Sequence, residues 1–419
     1  MHGWGQEGFG DNDFNAPSGI AIDPTGYAYV TDSLNDRIHK FTLTGLFADA
    51  WRTRSSAPGE FIQPQGIATD GQHIYVSDKN NHRIQKFEKD GELTTLWGSF
   101  GDNLEEFNLP YGIAIHGEYV YVADTLNNRI QKFTKEGEFV SAWGSKGTGD
   151  SQFNEPSDVA VDGSGNVYVV DWENHRVQKF DSNGKFIKKW GELGSDDGEF
   201  KRPFSIAIDN NDRIYVTDTF LNGRVQLFDT DGNCLGVWEG VDILENGFSD
   251  FCSITVDNDG STYLADSGND RIIKLTQEGM VIDVFGNTGS DLGQLNNPSS
   301  LCVDQDNMVY VVDSDNNRIQ VFKKREAQTP TKAIIIAGGG PFPGNKLWDA
   351  TRLSCNFAYR ALHYQGIQKS EIHYLSSDLS IDLDDNDKAD DIDDIPSKES
   401  IQKAMDEVKD TRRLIVYLA

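Results

Sequence analysis

The heptad NHRIQKF at residues 81–87 comes back as NNRIQKF at 127–133 and as NHRVQKF at 174–180. This recurrence limits what the chain can fold into more than any other feature. The full unit reads F-N-x-P-x-G-I-A-I-D, a turn, Y-V-x-D-x-x-N-x-R-I-Q-K-F, x-x-x-G, and an apolar stretch ending in W-G. Its marker aspartate falls at Asp32, Asp78, Asp124, Asp171, Asp218, Asp266 and Asp313, with gaps of 46, 46, 47, 47, 48 and 47 residues. Each unit holds four short β-type runs, in the first GIAID, AYVTD, RIHKF and LFADAW. Turn chemistry separates them: DPTG at 23–26 places Asp, Pro and Gly where a type I turn prefers them. Four antiparallel strands per unit of this length describe a propeller blade, whose two faces must be covered by neighbouring blades.

The phase of the repeat predicts how the ring closes. The chain opens with HGWG at 2–5, which matches the fourth-strand ending TLWGS at 95–99. The seventh unit supplies only three strands, from SLCVD to RIQVF, so the N-terminal piece completes it and removes the open sheet edges. An all-β propeller of seven blades is the expectation, with six as the alternative. On these motifs, over about residues 2 to 322, the chain resembles the NHL-repeat family. That resemblance implies a propeller, most often six-bladed, and in some members a lyase activity using metal-bound histidines in the central channel.

The Asp, Asn and Arg of the repeated motif occur in nearly every unit, whereas a catalytic group is needed once or twice. They read as structural, and function is expected where the blades differ. The loops joining second to third strands, and blade to blade, fall on one face of the ring. There the spacer residues read as Leu34, Asn80, Leu126, Trp172 and Phe220, and the residues after the repeat proline as Ser18, Gln65, Tyr111, Ser157 and Phe204. Blades three to five thus gather Tyr111, Leu126, Trp172, Phe204 and Phe220 around Arg202, the mixture that binding hot spots favour. His116, in place of a turn aspartate, reads as a turn variant, and His39, His82 and His175 fall on the third strand rather than in the channel. Lys+Arg of 38 against Asp+Glu of 67 leaves a net charge of −29, which argues against nucleic acid and anionic membranes. The expected partner is a protein, peptide or glycan, bound by a monomer. Cys234, Cys252, Cys302 and Cys355 form no CxxC pair and read as isolated, mostly buried thiols. No apolar run approaches ~18 residues, so no membrane insertion is expected, and MHGWGQEGFG lacks the features of a signal peptide.

After Phe322 the pattern changes. KKREAQTPTK at 323–332 reads as a linker, and AIIIAGGG at 333–340 as a buried parallel strand. A helical pattern over 345–366, a strand at 371–378, a helix at 397–410 and a strand at 413–419 complete a β-α-β-α-β order, an incomplete α/β parallel-sheet segment. The GGG run lacks both GxGxxG and GK[ST], so no phosphate loop is read from it. Through KAIIIAGGGPFPGNKLWDATRLSCNFAYRAL and IHYLSSD the segment resembles the start of legumain-like, caspase-fold cysteine peptidases. The resemblance implies a catalytic His after the third strand and a nucleophilic Cys after the next, both beyond Ala419; Cys355 does not match the nucleophile. No catalytic residue is therefore expected within this sequence. The propeller would be the targeting module of such a peptidase. DLDDNDKADDIDD at 382–394 places Asp382, Asp384, Asn386, the Lys388 carbonyl, Asp390 and Asp393 at positions 1, 3, 5, 7, 9 and 12 of a calcium loop. Asp387 stands where such loops have Gly and Asp393 where they have Glu, so a solvated acidic loop is the competing reading.

Overall fold

In the computed structural model, residues 2–322 are described apart from 53–54, 219–221, 240–247, 250 and 278, together with strands at 332–337, 372–376 and 414–418. Residues 17–52, 64–97, 110–143, 156–190, 203–239 and 251–285 each form one four-stranded antiparallel sheet in sequence order. The seventh sheet takes three strands from 298–322, and its outer strand is His2–Trp4, which pairs with Arg318–Phe322. The described residues therefore form a seven-bladed propeller, not the six-bladed alternative, and its last blade is sealed by the N-terminal strand.

Burial explains why the four runs differ. Second and third strands are buried along their length because both faces are covered by neighbouring sheets, as in Val167–Asp171, which is nearly all apolar, and Arg176–Phe180, whose Arg176, Gln178 and Lys179 are buried with hydrogen-bond partners. In blades one to four the fourth strand carries a buried tryptophan that packs on the third-strand Phe of the next blade. Trp51 lies 5.0 Å from Phe87, Trp97 5.6 Å from Phe133, Trp143 5.7 Å from Phe180 and Trp190 5.7 Å from Phe228, measured between ring centres. Trp4 continues the series by lying 5.5 Å from Phe41, so the outer strand of blade seven packs on blade one. The tryptophan also accounts for the glycine after the third strand: a Cβ on Gly45, at φ +85°, would sit 2.5 Å from the Trp4 ring.

The repeated polar residues join the blades. In blade three, Arg129 Nε donates to Asp124 at 2.7 Å, and its two terminal nitrogens donate to the carbonyls of Asp102, Asn103 and Glu106 in the loop before the blade. Asn127, Gln131 and the Asn108 N–H also donate to the Asp124 carboxylate. The same set recurs around Asp78, Asp171 and Asp313. The residue after the motif's Asn is left-handed, with φ of 53–56°, and is Gly223 in blade five and otherwise an Asn, Asp or His, the side chains best tolerated there. Its side chain accepts an N–H from the next blade: Leu109 to His82, Glu155 to Asn128, Arg202 to His175 and, closing the ring, Ala16 to Asn317. The histidines of the heptad are thus inter-blade acceptors.

The chain divides into Met1–Lys324 and Arg325–Ala419. In the second unit Lys332–Ala337 pairs in parallel with Ile372–Ser376 on one side and Leu414–Leu418 on the other. The helical patterns expected at 345–366 and 397–410, and Cys355, lie outside the described residues.

Candidate functional site

Each first strand begins at the repeat proline, or at Phe251 in blade six, and a register shift after that residue turns the next side chains toward the ring axis. There they line a cavity of about 180 Å³ that all seven blades contribute to. Most of the wall is small and hydroxylic: Ser18, Ser157, Ser205, Ser253, Ser299 and Ser300 face it with Gly19, Gly66 and Gly112. Hydroxyls also stitch the rim. Ser33 donates to the Pro64 carbonyl, Thr125 to Pro156, Ser267 to Pro298 and Ser314 to Pro17, each from the first position of the turn between second and third strands to the next blade.

The rim departs from this pattern along one arc. The hydroxyl position is Lys79 in blade two and Trp172 in blade four, while the position after proline is Tyr111 in blade three and Phe204 in blade five. These large side chains touch. Tyr111 and Phe204 meet edge to face at 6.0 Å across the cavity, and Lys79 Nζ lies 5.4 Å from the centre of the Tyr111 ring. Arg202 lies 5.2 Å over the Trp172 ring, and its guanidinium pairs with Glu173 at 3.0 Å. Burial pushes the Lys79 ammonium below its usual pKa.

This geometry corrects one register read from sequence. The 3₁₀ turns run Ser33–Asn35, Lys79–Asn81, Thr125–Asn127 and Trp172–Asn174, so Trp172 aligns with Ser33 and Thr125. The spacer partner of Leu34 and Leu126 in blade four is Glu173. The error came from reading the spacer as any large apolar residue; counting back from the motif's Asn would have found it. Leu126 is exposed at the outer edge of the face, while Tyr111, Trp172, Arg202 and Phe204 are half-buried and share the rim. Phe220 lies outside the described residues, as do Asp382, Asp384, Asn386, Lys388, Asp390 and Asp393.

The sequence reading missed Asp158. It stands where blades one to three have glycine and blades five to seven have serine, and it is the one carboxylate among the described residues lining the cavity. Its Oδ2 accepts from the Ser205 hydroxyl at 2.9 Å and the Ile206 N–H at 3.1 Å, and its Oδ1 from its own strand's Val159 N–H at 2.9 Å. No basic side chain pairs with it among the described residues. Enclosure by the ring pushes its pKa up to about 6, against the pull of those three donors. The signal was present in PSDV, the one unit with an acid in the P-x-G position, but only the fold turns that position inward.

Histidine plays no part in the described cavity wall. His39 replaces the repeat's Gln, is fully buried 3.3 Å from Asp32, and burial lowers its pKa, opposed by the nearby Asp32 carboxylate. Among the described residues no three His, Cys, Asp or Glu side chains are placed to hold a metal ion. Cys234 and Cys302 are free, half-buried thiols, less enclosed than their sequence setting suggested, and burial raises the pKa of both. No described helix is long and apolar enough to cross a membrane.

Three segments match the NHL repeat. They are residues 61–87, 153–180 and 295–322, each running from an inter-blade loop to the end of a third strand. No curated protein matches the chain at a significant level. Among solved structures, virginiamycin B lyase from Staphylococcus aureus is similar at 14% identity and TM-score 0.57, over 73% of this chain and 94% of that one. A streptogramin B lyase aligns at 13% identity and TM-score 0.59, over 76% and 98%. Kuenenia stuttgartiensis hydrazine synthase aligns at 17% identity and TM-score 0.60, over 76% and 99%. At such identities the likeness extends to the propeller fold alone.

Proposed function

We propose that the propeller is an interaction module that takes a protein, peptide or glycan ligand on its loop face over blades three to five. One observation carries this reading. The rim positions that elsewhere mostly hold Ser or Thr hold Tyr111, Trp172 and Phe204 along a single arc, with Arg202 stacked on Trp172. A half-exposed aromatic beside an arginine contributes little to a ring that closes elsewhere through serine and threonine, and it is the chemistry of interface hot spots. The net charge of −29 favours a basic or neutral ligand over a polyanion.

The resemblance of residues 331–419 to legumain-like peptidases, together with the parallel order of the three described strands, supports a second element of the proposal. The propeller would act as the targeting module of a caspase-like cysteine peptidase. A channel lyase or hydrolase is the alternative. It needs a metal-ligand or acid–base set, and the described cavity wall offers hydroxyls, one carboxamide and one carboxylate. We further propose weak calcium binding by Asp382, Asp384, Asn386, Lys388, Asp390 and Asp393, supported by their spacing alone.

Peptide display and a glycan array on the full chain test the main reading. Trp172→Ala combined with Phe204→Ala should weaken the selected ligand by ~1 kcal/mol or more with little change in the thermal midpoint. A loss of several kcal/mol of stability would make these rings inter-blade core and refute the assignment.

A further inference from the structure

We infer that the axial cavity between blades three and five is a subsite for a primary alkylammonium group, with the Asp158 carboxylate as its counter-charge and the touching Tyr111 and Phe204 rings beside it. The inference deepens the loop-face reading and rests on it for the larger ligand that carries the amine.

Three features converge on one small volume. First, Asp158 is a half-buried carboxylate on the cavity wall with no described basic partner, whereas a charge enclosed by protein is ordinarily paired. Three donors occupy three of its roughly four acceptor positions, leaving one on Oδ1. Gly112 lets the neighbouring strand pack closely on this side of the carboxylate, since a Cβ there would lie 2.9 Å from Oδ1 and 2.9 Å from Asp158 Cα, so a cation reaches Oδ1 from the cavity side. Second, the two strands flanking the carboxylate carry the aromatic rings. Gly112 follows Tyr111, and Ser205, which donates to Asp158, follows Phe204. An ammonium at Oδ1 would therefore sit near aromatic rings, which attract cations more strongly when they are desolvated. Lys79 Nζ, 5.4 Å from the Tyr111 ring, already uses that attraction from outside.

Third, size selects the ligand. The cavity of about 180 Å³ is well below the roughly 300–1,000 Å³ of sites for drug-sized molecules. It has room for several waters or for an alkyl chain bearing one ammonium. A planar guanidinium seeks two carboxylate oxygens in a bidentate fork, and here Oδ2 is already taken by Ser205 and Ile206. A single-point cation fits the one open position better. The lysine side chain of a peptide and a small free amine share this chemistry.

The test titrates the full chain at pH 7.5 and low salt with Nα-acetyl-lysine-N-methylamide, with butylammonium chloride, and with the neutral acetyl-norleucine-N-methylamide. Calorimetry and saturation-transfer NMR follow binding. The lysine amide should bind and the norleucine amide should not, and Asp158→Asn should weaken the lysine amide about tenfold or more. Phe204→Leu should weaken it several-fold, and Lys79→Met, by removing a nearby like charge, should strengthen it. Tighter binding of the lysine amide than of butylammonium assigns the site to peptides, and the reverse assigns it to free amines. Equal binding of norleucine, or unchanged binding by a folded Asp158→Asn protein, overturns the subsite. A displayed peptide that still binds while both amines fail refutes the subsite alone; amine binding with no ligand selected at all refutes the loop-face reading alone.

Discussion

Asp158→Asn puts the central tunnel to a quantitative test through stability. The carboxyl is held at about 6 against an ordinary 3.8, because enclosure penalises its ionised form more than its three donors favour it. A raised folded-state pKa in an acid means that the folded protein binds the proton more tightly than the unfolded chain. The carboxyl therefore costs nothing below about pH 4, and stability falls as pH rises from about 4 to 6. A shift of about two units corresponds to ~3 kcal/mol, and water in the tunnel reduces this to ~2 kcal/mol at pH 7.5. Asparagine keeps an acceptor for Ser205 and Ile206 without the charge, so Asp158→Asn should be the more stable protein above pH 6. With an unfolding entropy of ~2.1 cal/mol/K per residue over the propeller, its thermal midpoint should rise by about 3 °C at pH 7.5 and match wild type near pH 4. Differential scanning calorimetry across pH 4 to 8 measures both. A variant that melts lower at pH 7.5, or whose advantage does not vanish in acid, would show that the three donors make the carboxylate a net gain.

Trp4→Ala should cost ~3–5 kcal/mol, measured by denaturant melts, because it removes a buried ring that joins the outer strand of blade seven to blade one; a cost below ~1 kcal/mol would mean that the ring does not depend on this contact. His39→Gln should restore the glutamine that donates to the marker aspartate in blades two, three, four and seven, stabilising blade one by about 1 kcal/mol at neutral pH. Since burial lowers the folded pKa of His39, wild type loses stability as pH falls below about 6.5, and the variant's melts should lack that part of the loss. Calorimetric titration should detect weak calcium binding that Asp382→Ala with Asp384→Ala abolishes; no heat in wild type would leave the acidic loop as solvated charge.

Much of the architecture was legible before any coordinates. Seven units with gaps of 46 to 48 residues, and the match of HGWG to the fourth-strand ending, determine seven blades and an N-terminal seal, since each unit needs neighbours to cover both faces. The structural role of the Asp–Asn–Arg set was legible for the same reason: a group present in nearly every blade is framework.

The cavity belongs to the tertiary structure alone. Tyr111, Asp158 and Phe204 are 46 to 47 residues apart, and only closure of the ring brings their strands to one axis. Which side of a strand they occupy is set by the register shift after the repeat proline, which breaks the two-residue alternation from which a sequence reading infers direction. Trp172 shows the same limit, because its place on the rim follows from the 3₁₀ turn that starts at residue 172 and not from its being large and apolar. The aspartate in PSDV is visible to anyone reading the sequence. That it has no described cationic partner is a property of its surroundings, and those are assembled from blades three, four and five only when the chain has folded.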